Sequence, residues 1–420
     1  MADIKLLTEQ QGFNIAGQMS NLALPPNNEI IYDDAGLPSV MVKIPIIYYC
    51  DVGIGDGLGE YEQCTPLPAF TIKVDNKYKE IGYIYISKYQ NIVKDGKAYS
   101  LPYQQPTIGL SYDEAKAACA AKGKGWHLMT NAEWAAVALW CRQNNCLPLG
   151  NTSWMGAPLA ANFNAGYNRA FKDDEMNCGA PAPTYYTDSN GIFGDVCWRT
   201  TTLTGSGPNK WFHNYNQSGI TDLCGNVWEW VSGIRVKDTH NIQIIPRNDA
   251  ALNVDESDTS TAWREIERIV EDCGGYYSDT LVEPGADNTY QFITTLNKTS
   301  TAAGTKFKEI TNVANDYAIP PIIPGLALAP TVSLASKYPT DCVFLGGAAD
   351  QAAGGNLYQR IVRGGDYTSD YGNTGIFSYA VVQPDGTPDL NNCPVYTDLQ
   401  PFPNFFGFRA AYIDLDNSLF

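Results

Sequence analysis

Strand-like alternation of apolar and polar positions begins at Val40-Met41-Val42-Lys43-Ile44 and returns at Phe70-Thr71-Ile72-Lys73-Val74 and Ile81-Gly82-Tyr83-Ile84-Tyr85-Ile86. Side chains two residues apart fall on one face of an extended chain, so each run is predicted to be a strand with a buried face. The period then changes. Ser111 precedes Tyr112-Asp113-Glu114, which places a hydroxyl at a helix N-cap and a carboxylate three positions on, a reciprocal capping box. Ala115, Ala118 and Cys119 share one face of that helix, and Gly123 supplies its stop. Thr130 and Glu133 repeat the box ahead of a stripe of Trp134, Val137, Ala138 and Cys141. Both stripes are predicted to be core. A further amphipathic helix is predicted near 261–270, with Trp263, Ile266 and Val270 on one face.

Between these elements the pattern loosens. Residues 1–40 are polar, turn at Pro25-Pro26-Asn27-Asn28, and are predicted to form an N-terminal arm ahead of one domain spanning 41–420. Residues 150–220 are rich in Asn, Gly and Tyr and read as long loops. A segment at about 235–345 reads as an insertion into the domain. No repeat of the length used by solenoids or propellers is visible.

Composition narrows the function classes. With 44% apolar and 12% aromatic residues, the 420-residue chain has ample material for a core. Gly (38), Pro (25) and Tyr (26) favour loops and short strands over long helices. The net charge of −17 argues against a nucleic-acid backbone as partner, which needs clustered Lys and Arg. No run approaches the roughly 20 apolar residues of a membrane helix, so no membrane insertion is expected. The start, Met1-Ala2-Asp3-Ile4-Lys5, lacks the basic-then-apolar pattern of a secretion signal. The eleven cysteines include no CxxC pair, which disfavours zinc; buried thiols and some disulfides both remain open.

Six pieces then carry a resemblance: Met41-Val42-Lys43-Ile44-Pro45; Tyr85-Ile86-Ser87-Lys88-Tyr89-Gln90-Asn91; Leu110-Ser111-Tyr112-Asp113-Glu114-Ala115; Leu128-Met129-Thr130-Asn131-Ala132-Glu133-Trp134; Gly225-Asn226-Val227-Trp228-Glu229-Trp230; and Arg363-Gly364-Gly365 with Gly407-Phe408-Arg409. In this order they resemble the formylglycine-generating-enzyme, or sulfatase-modifying-factor, family, where they read as an opening strand, an aromatic strand ending in Glu-Val-Thr-Asn, VSWEDA, LPTEAEW, GNVWEW and RGG…GFR. The resemblance covers roughly 40–235 and 360–414. It implies an α+β, irregular C-type-lectin-like fold with little regular secondary structure. It also implies that Trp228 and Trp230 fill core and that Arg409 holds loops through charge-assisted hydrogen bonds.

Catalysis in that family uses copper held by two cysteines, four and nine residues beyond the second glycine of RGG. Counting from Gly365, those positions hold Ser369 and Thr374. A hydroxyl is a poor ligand for soft Cu(I), so neither copper nor oxidase activity is expected. The related sulfoxide synthases carry a three-histidine iron site, but His127, His213 and His240 are not spaced to suggest one. No P-loop, Rossmann, HExxH or GxSxG motif is present. The alternative reading is a formylglycine-generating-type copper oxidase or related metal enzyme.

The same scaffold serves the variable proteins of diversity-generating retroelements, where template adenines are rewritten near the 3′ end of the gene. Residues 366–406 resemble such a region, and Gly372-Asn373-Thr374-Gly375-Ile376-Phe377 resembles its G-x-x-G-V-F phrase. Adenine changes in an Asn codon reach Tyr, Asp, Ser, Thr, Gly, Phe and others, but never Lys, Glu, Gln, Met or Trp. In this segment only Gln383 and Gln400 fall outside that set. Tyr/Ser/Asn/Gly-rich surfaces also suit adaptable binding, because Tyr gives large contact area for few rotatable bonds. The expected ligand contacts are Tyr367, Asp370, Tyr371, Asn373, Ser378, Tyr379, Asn391, Asn392, Tyr396, Asp398, Asn404 and Phe405. The expected partner is a cell-surface protein or glycan, and the expected setting a phage tail or a cell surface. Family members also hold calcium beside GNVWEW; the matching positions, Asp222, Gly225, Val227 and Glu229, form a candidate calcium site of oxygen ligands.

Overall fold

The computed structural model describes residues 6–19, 24–54, 65–152, 201–237, 241–265, 305–309, 322–330, 332–339, 341–344, 358–366, 374–384 and 406–419. Helix α1 (Glu9–Met19) leads into strands β1 (Asn28–Tyr32), β2 (Pro38–Pro45), β3 (Thr71–Val74), β4 (Lys77–Glu80), β5 (Tyr83–Ser87), β6 (Ile92–Lys94) and β7 (Lys97–Tyr99). Helix α2 (Tyr112–Ala120), strand β8 (Trp126–Leu128) and helix α3 (Asn131–Gln143) follow. The C-terminal half adds β9 (Trp228–Lys237), β10 (Asn241–Ile244), β11 (Arg264–Glu265), β12 (Thr305–Lys306) and a one-turn helix α4 (Ile322–Gly325). It closes with β13 (Cys342–Phe344), β14 (Tyr358–Arg363), β15 (Tyr379–Val382), β16 (Phe406–Phe408) and β17 (Ala410–Tyr412). This is a mixed α/β protein with few helices, and among the described residues none is long and apolar enough to cross a membrane.

Both capping boxes form as the sequence predicts: Ser111 Oγ accepts from the Glu114 N–H, and Thr130 Oγ1 accepts from the Glu133 N–H, with each Glu reaching back to its cap. The three strand runs also form, within β2, β3 and β5. Helix α3 is buried almost all round, from Asn131 to Leu139, and packs with Val42, Ile84, Ile86, Val231 and Ile234 in the larger core. A second cluster joins Tyr112, Ala115 and Cys119 of α2 to Trp126, Trp228, Trp230, Phe406 and Phe408. Trp228 and Trp230 are therefore core, as expected. The six described free cysteines are buried apart from Cys50.

Two sheets organise these residues. One has the order β1-β2-β5-β17-β8; the other runs β11-β10-β9-β14-β15-β13-β12, with β16 also paired to β9. Strand β9 is the spine of the second sheet, buried at every position but Lys237. Near the C-terminus the chain changes sheets. Phe406, Gly407 and Phe408 run parallel to Trp228, Glu229 and Trp230, whereas Ala411 and Tyr412 pair with β5 and β8 of the other sheet. Arg409 sits at that crossing.

Three expectations change. The first forty residues are not a free arm: β1 pairs along β2, and Phe13 and Ala16 of α1 pack with Val40, Tyr89 and Tyr99. The described parts of the 235–345 insertion are built into the second sheet, where β10 pairs with β9 and β13 runs parallel to β15. The helix expected at 261–270 does not begin as one: Arg264 and Glu265 are strand partners of Ile244 and Gln243, and the rest lies outside the described residues. Trp263 is buried, but its ring is stacked by the Arg235 guanidinium 4.2 Å away, so its apolar signal reflects a sheet-side contact.

Candidate functional site

The Gly225–Trp230 element enters β9 through two residues in the left-handed region, Gly225 (φ 72°) and Asn226 (φ 67°). A Cβ on Gly225 would lie 2.1 Å from the Asn151 carbonyl oxygen, so only glycine fits there. Asn226 is fully engaged: its Oδ1 accepts from the Thr202 N–H (2.8 Å), and its Nδ2 donates to Gln90 Oε1 (2.7 Å). That contact fixes the orientation of the Gln90 amide. Gln90 Nε2 then faces Glu229 Oε1 (2.9 Å), the Asp222 carbonyl (3.0 Å) and the Val227 carbonyl (3.4 Å).

Glu229 is buried and neutralised. Arg409 Nε and Nη2 grip its two carboxylate oxygens side-on, each at 2.7 Å, the bidentate arrangement in which charge-assisted bonds are strongest. The other guanidinium N–H groups go to the carbonyls of Ser87 (3.0 Å), Lys88 (3.2 Å), Thr221 (2.9 Å) and Asp222 (3.4 Å). Arg409 thus ties loops together as the resemblance implies. Asp222 Oδ2 accepts from the Gly205 N–H at 3.0 Å, while its Oδ1 is buried without a partner. Burial pushes this carboxyl up to about 6.

These partners bear on the calcium expectation. Calcium takes six to eight oxygens at once. Of the four residues expected to ligate it, Glu229 is claimed by Arg409 and Gln90, the Val227 carbonyl faces Gln90, and Asp222 keeps one unclaimed carboxylate oxygen. The donor set does not match the ion. Among the described residues, no group of three or more His, Cys, Asp or Glu could hold a metal.

The second motif, Arg363-Gly364-Gly365, leads out of the end of β14 toward Thr374. Arg363 is fully buried; its Nε and Nη2 donate to Asn131 Oδ1 (3.0 and 2.6 Å) and its Nη1 to the Ala327 carbonyl (3.1 Å). Gly365 (φ 82°) leaves room for Thr374, whose Cβ would be 2.7 Å from a Cβ on residue 365. Thr374 is buried, and Cys224 Sγ lies 4.0 Å from its carbonyl oxygen. Burial drives the Cys224 thiol far above its ordinary range, so it is not a thiolate at neutral pH. Ser369 lies outside the described residues.

Two of the expected ligand contacts are described, and both point inward. Ser378 Oγ accepts from the Gly375 N–H (3.0 Å), and Tyr379 donates its hydroxyl to the Leu328 carbonyl (3.1 Å) from within β15. Both are fully buried, so the polar side chains here satisfy backbone groups of the sheet and are not a binding surface. Tyr367, Asp370, Tyr371, Asn373, Asn391, Asn392, Tyr396, Asp398, Asn404 and Phe405 lie outside the described residues. The sequence reading missed Asp341, which accepts from the Phe377 N–H (2.9 Å) and is pushed up to about 6 by burial. It also missed a cavity of about 140 Å³ lined by Val42, Ile44, Val137, Trp140, His213 and Asn214. His213 there accepts from the Ile220 N–H at Nδ1, and burial pushes it down to about 3, so it is neutral at physiological pH. His127 is no ligand either: it pairs with buried Glu133 at 2.9 Å.

Residues 71–278 match the FGE-sulfatase family, the sulfatase-modifying factor enzyme 1-like domain. The matched stretch spans both capped helices and the Gly225–Trp230 element. Among solved structures, PvdO from Pseudomonas aeruginosa is similar over 93% of this chain and 100% of that one, with 14% identity and a TM-score of 0.33. No curated protein matches.

Proposed function

We propose that this chain is a non-catalytic binding protein that uses a C-type-lectin-like form of the sulfatase-modifying-factor scaffold to present a diversified ligand-binding segment at residues 366–406. The observation that carries the reading is Thr374, a buried hydroxyl at a position where copper chemistry needs sulfur. Ser369 at the companion position and the Asn-codon-like composition of the segment support it. The ligand class is a surface protein or glycan, and the protein is the variable product of a diversity-generating retroelement, acting as a phage or bacterial adhesin.

Incubation of the purified chain with copper and a Cys-x-Pro-x-Arg peptide is expected to leave the peptide thiol unchanged. Copper-dependent conversion of that thiol would establish the oxidase reading instead. The gene neighbourhood gives an independent check. A reverse transcriptase and a near-copy of the 366–406 coding sequence, differing at template adenines, are expected nearby; their absence would remove the retroelement part.

A further inference from the structure

The Arg409 guanidinium collects an unusual set of oxygens: both from Glu229, and the carbonyls of Ser87, Lys88, Thr221 and Asp222. One carboxylate plus several carbonyls is the shell of a hard divalent cation, assembled here around a side chain. The Gln90 amide extends it. Its two N–H groups face Glu229 Oε1 and the carbonyls of Asp222 and Val227, so three oxygens converge on one nitrogen at 2.9–3.4 Å. Asn226 holds the amide in that orientation by donating to its oxygen at 2.7 Å. Both Gln90 and Arg409 are fully buried. Because Arg409 stands where the chain passes from one sheet to the other, the backbone itself delivers the positive charge to this point.

We infer that Gln90, set beside the Arg409–Glu229 pair, replaces a divalent cation at this junction, so that the chain's own N–H donors join the 87–90, 221–229 and 406–412 segments without a metal. The physical logic is charge and valence. The guanidinium cancels the Glu229 charge, and its planar fork supplies directed bonds that a cation would supply by coordination. Gln90 fills the remaining volume with a neutral donor. Replacing that donor with a carboxylate would turn the same three-oxygen cluster into a cation trap, since a fourth oxygen would then face the others with no N–H between them.

The test uses the full chain and calcium alone as probe. The wild-type protein is expected to melt at the same temperature in EDTA and in millimolar calcium, and to give no binding heat on titration. The Gln90→Glu variant is expected to melt lower than wild type in EDTA and to recover by several degrees when calcium, but not sodium at equal ionic strength, is added. An ion binding only the folded state must raise the melting temperature in this way. A wild-type protein that is stabilised by calcium overturns the inference. So does a folded Gln90→Glu protein indifferent to the ion. Should Gln90→Glu fold in neither buffer, the wild-type comparison decides.

Discussion

Removing the Arg409 guanidinium leaves Glu229 as a buried carboxylate whose remaining donor is the Gln90 amide. Breaking a buried pair from one side costs about 3–5 kcal/mol, because the surviving charge has nowhere to go. Arg409→Ala is therefore expected to lower unfolding free energy by about that amount in urea titrations. Arg409→Lys keeps the charge but loses the fork and is expected to recover only part of it; full recovery would show that charge alone matters. Two other buried groups set opposite responses to pH. His213 is held near 3 against an ordinary 6.5, so below 6.5 the unfolded chain takes a proton that the folded chain refuses, and stability falls as pH drops toward 3. Asp341 is held near 6 against 3.8, so its contribution is present below 3.8 and is lost as pH rises through 6. Relative to wild type, His213→Gln is expected to gain melting temperature at pH 4.5 over pH 7.5, and Asp341→Asn to gain at pH 7.5 over pH 4.5. The reverse pattern in either variant would contradict the burial argument.

Helix starts were legible in the sequence because a cap is a local device: Ser111 with Glu114, and Thr130 with Glu133, need only three residues of context. What the sequence could not report is how differently the two caps are embedded. Ser111 and Glu114 meet in an exposed turn, whereas Thr130 Oγ1 also donates to Asn248 Oδ1 at 2.6 Å, and Asn248 Nδ2 in turn donates to Glu133 at 3.1 Å. Ser111→Ala is expected to cost about 1 kcal/mol, an ordinary exposed cap. Thr130→Ala is expected to cost about 2–3 kcal/mol, because it also strands a buried amide oxygen. Equal costs in denaturant titrations would show that the Asn248 link is not stabilising. Strand identity was harder to read where pairing is long-range. The 261–270 stretch has helical spacing, yet Arg264 and Glu265 pair with β10, a tertiary choice no local window contains. Ser378 and Tyr379 misled for a related reason: composition marks a polar segment but does not say which of its hydroxyls the sheet consumes.

At the scale of the molecule, the fold places the two Arg-Gly elements on either side of the same spine and at the same end of it, with Arg363 and Gly407 both registered with Glu229. Arg409 locks the start of β9 to the first sheet, while β14 pairs along β9 and leads through Arg363 to Gly365, which lies against Thr374. The scaffold was legible because its signature residues are the ones that make those joints. The oxygen cluster gathered on the Gln90 amide was not, because its members come from residues 222, 227 and 229, far along the chain from residue 90. Thr374 packs on Gly365.

The central claim is that this scaffold recognises and does not react, and Cu(I) titration against a chromophoric chelator tests it most directly. The wild-type protein is expected to leave the chelator's copper untouched, while a Ser369→Cys, Thr374→Cys double variant is expected to withdraw one equivalent, since two thiolates are the ligands that soft Cu(I) selects. Stoichiometric withdrawal of Cu(I) by the wild-type chain would contradict the account.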